Sequence, residues 1–127
     1  MTLTTKEKAI KIATLLDNKK ANDIKILEVK ELTIITDYFV ICSADSTTQV
    51  KALTEHLEET MNLEGFKLFG IEGVSNARWI LMDYGDVIVH IFLEETRRYY
   101  DLERLWLDAP RITFEGTTVY KSPVMYR

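Results

Sequence analysis

One cysteine in 127 residues, Cys42, excludes an internal disulfide and agrees with a reducing compartment. No apolar run approaches the roughly 20 residues that a membrane span needs. The opening stretch MTLTTKEKAIKIATLLDNKK lacks the apolar core and small-residue cleavage site of a signal peptide. The chain is therefore expected in the cytoplasm and away from membranes. There is no basic tract either. Sixteen Lys and Arg are scattered among twenty Asp and Glu, for a net charge of −4. Nucleic-acid backbones are gripped by clustered cations, so direct nucleic-acid binding is disfavoured. A basic protein partner suits this charge better, since opposite charge raises the encounter rate.

Catalytic signatures are also missing. Cys42 sits inside an apolar run, where a thiol behaves as a small hydrophobe. The two histidines, His56 and His90, have no Cys or carboxylate at metal-ligand spacing. No Walker lysine motif and no GxGxxG is present. No metal, no cofactor and no catalytic residue is expected, and the chain reads as a non-enzyme.

What is present is one domain's worth of ordinary globular sequence, 46% hydrophobic and long enough for a single sizeable core. Residues 4–18 read as a helix, with Thr4 and Glu7 at capping-box spacing and Ala9, Ile12, Ala13 and Leu16 on one face. A half-buried strand is expected near 25–30. Tyr38 to Cys42, β-branched and aromatic throughout, reads as a central strand. Residues 46–64 form a second helix, started by Ser46 and Gln49 and striped by Val50, Leu53, Leu57 and Met61. Gly65 is its natural left-handed terminator. Residues 66–71 give a short strand, and 94–106 a last helix with Tyr99, Leu102, Leu105 and Trp106 on one side. Arg97, Arg98 and Arg104 of that helix lie among Glu94, Glu95, Asp101 and Glu103, so a salt-paired face is expected rather than an anion site.

The centre of the chain is Trp79 to Trp106, WILMDYGDVIVHIFLEETRRYYDLERLW: strand, tight turn, strand and helix. Tyr84-Gly85-Asp86-Val87 suits a two-residue type II′ loop with Gly85 first. That register pairs Asp83 with Ile88, Leu81 with His90 and Trp79 with Phe92. Alternation then puts Trp79, Leu81, Asp83, Ile88, His90 and Phe92 on one face, and Ile80, Met82, Tyr84, Val87, Val89 and Ile91 on the other. The second set is the core face. The first mixes large apolar groups with Asp83 and His90, as interfaces do, unless residues 108–127 cover it. Asp83 and Asp86 could hold Mg²⁺ across the turn, although forming the turn is the commoner use.

Residues 108–127, with both prolines and no helical period, read as a C-terminal appendage to a 1–107 domain, one that packs loosely or mediates contacts. A small hairpin around Glu115-Gly116 is expected within it.

The strand, Ser43-Ala44-Asp45-Ser46 and helix resemble the start of a nucleotidyltransferase, whose Gly-Ser turn cradles phosphate at a helix N-terminus. Such enzymes need two acids at i and i+2 on the next strand to hold metals. The next strand here, KLFGI, has none, and positions 81 and 85 beside Asp83 are Leu and Gly.

The runs TDYFVICSADS, TTQVKALTEHLEE and EGVSNARWILMDYGDVIVHIF, followed by EETRRYYDLERLW, resemble the Iojap family, the ribosomal silencing factors. The carrying pattern is W-h-h-h-D-h-G-D-h-h-h-H-h-h, then R-x-Y-x-L-E-x-L-W. One departure is Ala44, where the family commonly has Gly, which weakens any phosphate-cradling role. The resemblance implies a single-domain α/β fold, a mixed sheet of about five strands in the nucleotidyltransferase-like order α-β-β-α-β-β-β-α. It implies a protein that binds the large ribosomal subunit through large-subunit ribosomal protein fourteen. Bound there, it blocks joining of the small subunit and represses translation when nutrients are short. It also implies self-association as dimers. A nucleotidyltransferase-like enzyme and a large-subunit maturation factor are the alternatives. The partner-binding residues expected are Trp79, Leu81 and Asp83, then Tyr84, His90, Arg97 and Tyr100.

Overall fold

A computed structural model describes residues 3–114. The elements are α1 (Thr5–Asn18), β1 (Asn22–Glu28), β2 (Tyr38–Ala44), α2 (Thr47–Leu63), β3 (Gly70–Glu72), β4 (Trp79–Asp83), β5 (Val87–Leu93), α3 (Glu94–Tyr100) and α4 (Leu102–Leu105). The strands form one mixed sheet in the order β1-β2-β5-β4-β3. Among the described residues only β2 and β5 pair in parallel. A parallel pair needs a crossover, and here α2, β3 and β4 supply it. The expected fold class and element order are found, with the last helix in two pieces.

One face of the sheet is covered by two helices and the other in part. On one face, α1 and α2 bury Ile26, Val40, Cys42, Ile80, Met82, Tyr84, Val87, Val89 and Ile91 with Ile12, Leu16, Leu53, Leu57 and Met61. On the other, Leu102 of α4 and Ala109 lie with Leu27, Phe39, Ile41, Ile88 and Phe92, flanked by Trp106. Because β2 lies between two layers, all seven of its residues are buried. A strand buried on both sides must be apolar throughout, which is why its sequence does not alternate.

Local chemistry sets most boundaries. Thr4 Oγ1 accepts from the Glu7 amide at 3.1 Å, and the Thr4 amide donates to Glu7 Oε1 at 2.9 Å, closing the capping box. Ser46 caps α2 through the Gln49 amide at 3.1 Å, but the Gln49 side chain accepts from Asp45 rather than from Ser46. Gly65 ends α2 with φ +89°.

Three boundaries differ from expectation. β1 begins earlier and stops at Glu28, because the Val29 carbonyl accepts from the Leu32 and Thr33 amides and the chain turns there. β3 is only Gly70–Glu72, because Phe66 and Leu68 pack back against the core before the ladder starts. The helix expected over 94–106 breaks at Asp101, which is left-handed at φ 49°, ψ 54°. An Asp tolerates that conformation better than most residues. Across the break, the buried Arg97 guanidinium donates to Glu103 from Nε at 3.1 Å and from Nη2 at 2.8 Å.

The appendage is not loose over 109–114. The Glu28 amide donates to the Pro110 carbonyl and the Ile112 amide to the Ile26 carbonyl, which pairs this segment with the edge of β1. Phe114 is buried in the core under α1 and α2. The hairpin expected around Glu115-Gly116 lies outside the described residues.

Candidate functional site

The β4–β5 hairpin has the expected register: Trp79 faces Phe92, Leu81 faces His90 and Asp83 faces Ile88. Its loop closes through the Tyr84 amide to the Val87 carbonyl at 2.9 Å, and Gly85 alone in the loop has a positive φ. Asp83 Oδ1 accepts from the Gly85 amide at 2.8 Å, so this carboxylate shapes the turn. Asp86 bonds the Lys8 ammonium at 2.7 Å and the Thr5 hydroxyl at 3.0 Å. Burial opposes its ionisation, but those two donors hold it below the usual carboxylate range. The two acids are thus engaged separately. Among the described residues, no group of three or more His, Cys, Asp or Glu is placed to hold a metal ion.

The α3–α4 layer covers only part of the outer sheet face. It lies over β2 and β5 and stops short of β4, where Trp79, Leu81 and Asp83 remain half-buried. Trp79 stands at the edge of the covered zone. Its ring lies 4.8 Å from Phe92 and 5.1 Å from Tyr100, and its indole N–H donates to His90 Nδ1 at 3.1 Å. Tyr100 is 54% exposed, and Tyr99, packed edge-on against it at 5.0 Å, is 81% exposed. Trp79, Tyr99 and Tyr100 line an open cleft of about 680 Å³ with Arg78, Glu95 and Thr96. An aromatic strip flanked by charges of both signs suits protein recognition: rings supply area and the polar rim sets orientation.

Three of the expected contact residues lie elsewhere. Tyr84 is 1% exposed and points to the helix-covered face, as the alternation along β4 requires. His90 is buried beneath Trp79 and edge-on to Phe39 at 4.9 Å. Burial pushes its imidazole down to about 4, with Glu103 opposing, so it is the neutral acceptor for the indole N–H. Arg97 is buried as well. It donates to Ser43 Oγ at 3.2 Å, while Ser43 donates to Glu94 at 2.8 Å, joining the end of β2 to α3 and α4. None of the three lies on the Trp79 face as an exposed contact; His90 holds the Trp79 indole from beneath, and Arg97 ties α3 to α4 and β2.

A family model described as ribosomal silencing factor during starvation matches residues 2–124. The chain belongs to the ribosomal silencing factor family. A ribosomal silencing factor of Halalkalibacterium halodurans is 42% identical over 100 residues, 79% of this chain and 86% of that one. One from Bacillus subtilis is 42% identical over 94 residues, 74% and 80% of the respective chains. A crystal structure from Bacillus halodurans has a TM-score of 0.75 at 35% identity, covering 85% of this chain and 99% of that one. The match through residue 124 includes most of the segment that composition sets apart at 108.

Sequence reasoning on this silencing-factor chain missed Tyr99, Arg78, Glu95 and Thr96. Helical periodicity puts Tyr99 and Leu105 on one side with Leu102, whereas Leu102 is buried and they are 81% and 74% exposed. The left-handed Asp101 resets the helix phase, so no single wheel describes 94–106. The available signal was Leu93-Glu94, where strand passes into helix without a loop and brings the first turns of α3 beside Trp79.

Proposed function

We propose that this chain binds the large ribosomal subunit through large-subunit ribosomal protein fourteen and sterically prevents the small subunit from joining, so repressing translation when nutrients are limiting. The observation that carries this reading is the half of the outer sheet face that α3 and α4 leave uncovered among the described residues. There Trp79, Leu81 and Asp83 lie half-buried beside exposed Tyr99 and Tyr100, in a chain of the silencing-factor family. Aromatic anchors in a partly enclosed cleft commonly dominate the energy of an interface. The net charge of −4 favours encounter with a basic ribosomal protein. Of the other expected contacts, His90 and Arg97 lie buried beneath the face and support it, and Tyr84 lies on the opposite side of the sheet.

The test is sedimentation of purified large and small subunits with and without the protein. Saturating protein should reduce the joined-ribosome peak and co-sediment with the large subunit. Tyr100→Ala should weaken that effect with little change in folding. An unchanged joined peak at saturation rules the mechanism out. Precursor large subunits accumulating in cells that lack the protein, with a negative joining assay, would indicate a maturation role instead.

A further inference from the structure

The opposite side of the sheet carries a second cleft, of about 800 Å³, between the later turns of α2 and the segment after Gly65. Its lining includes Glu55, Glu58 and Glu59 from the helix, Phe66 and Leu68 from the segment, and Tyr84 beneath. The three acids lie three and four positions apart, hence on one helix face, where like charges destabilise a helix. Neighbouring lysines do not neutralise them. Lys11 pairs with Glu64, Lys8 with Asp86, and the Lys67 ammonium sits 5.2 Å from the Phe69 ring centroid. Among the described residues none of the three acids has an ion-pair partner.

A run of acids on a solvated helix face is common and would mean nothing alone. The second observation is Tyr84. Its side chain is 1% exposed and lines this cleft, and its hydroxyl is buried without a hydrogen-bond partner. A buried hydroxyl left unpaired is costly, so native chains rarely keep one without a use. Burial, and then Glu58, push the phenol up to about 12, so it stays a neutral hydroxyl that can accept from a cation. The carboxylates do not converge as metal ligands would. Their spread, and the apolar wall of Phe66, Leu68 and the Tyr84 ring, suit a cation with a hydrocarbon stem.

We propose that this cleft binds an alkylammonium group, the Tyr84 hydroxyl accepting from the ammonium and Glu55, Glu58 and Glu59 balancing its charge. The group belongs either to a free aliphatic polyamine or to a lysine side chain of a bound protein. The site is independent of the ribosome reading, because Tyr84 and Trp79 face opposite sides of the sheet.

The test is calorimetric titration of the full chain at low ionic strength. Diaminohexane and spermidine should bind saturably at one site. Hexanediol, of similar length but neutral, and magnesium chloride at matched ionic strength should not. Tyr84→Phe removes one hydrogen bond to a charged group and should weaken spermidine roughly tenfold, without lowering the melting temperature of the free protein. The exposed double change Glu55→Gln with Glu58→Gln should weaken it at least as much. A lysine-rich peptide run in parallel separates the sources: tighter spermidine assigns the site to a free amine, tighter peptide to a protein side chain. No saturable heat with any amine overturns the proposal, as does equal binding of hexanediol or undiminished affinity in both variants.

Discussion

At the scale of the residue, Trp79 and His90 act as a pair. The indole N–H needs an acceptor, and a neutral imidazole held by burial supplies it. This ties surface recognition to core stability. Trp79→Ala removes the ring from Phe92 and leaves His90 unpaired, so it should cost about 2–4 kcal/mol of stability as well as binding. Urea denaturation should separate it from Tyr100→Ala, whose exposed ring should cost under about 1 kcal/mol. The same pair gives a pH signature. The folded-state value of about 4 lies below the unbound 6.5, so the unfolded chain takes up the proton first. Stability is therefore whole above pH 6.5 and falls as pH drops toward 4. Between pH 7 and 5 the loss should be about 2 kcal/mol, read from denaturation midpoints. His90→Gln should flatten that slope. The slope persisting unchanged would place the titration on another group.

At the scale of the element, the β3–β4 loop decides where Trp79 stands. Gly73 has φ +86°, and a Cβ there would meet the Trp79 carbonyl oxygen at 2.1 Å. Gly65, at φ +89°, has nothing within 4 Å of a Cβ. Gly65→Ala should therefore cost only the left-handed strain of about 1–2 kcal/mol. Gly73→Ala must also move backbone, so it should cost clearly more and shift the Trp79 fluorescence. Equal costs would mean that the loop relaxes freely. The elements also differ in legibility. Capping residues and apolar stripes gave α1, α2 and the hairpin register, because those depend on neighbours a few positions away. The break at Asp101 and the shortened β3 were hidden. Each depends on a distant contact: Arg97, which Glu103 meets across the break, is buried against Ser43, and Phe66 and Leu68 are drawn to the core.

For the whole molecule, residues 109–114 close the edge of β1. A chain ending at residue 107 would leave the Glu28 amide and the Ile26 carbonyl unpaired and would lose the burial of Phe114. It should be less stable by at least about 2 kcal/mol, with a concentration-dependent tendency to associate through the bared edge. Calorimetry and light scattering would check both; an unchanged melting temperature would make the segment dispensable.

The stretch Trp79 to Trp106 determined by itself the hairpin, its turn and its two faces, because strand alternation and turn chemistry are local. It also contained the silencing-factor pattern and the lack of an acid pair for catalysis. Only the tertiary structure decided which part of the mixed face α3 and α4 cover. That depended on how far α3 and α4 reach across the sheet, set by a left-handed Asp101 and by Arg97 buried between Ser43 and Glu103. Coverage of this kind follows from contacts between residues more than fifty positions apart, and no local pattern carries it.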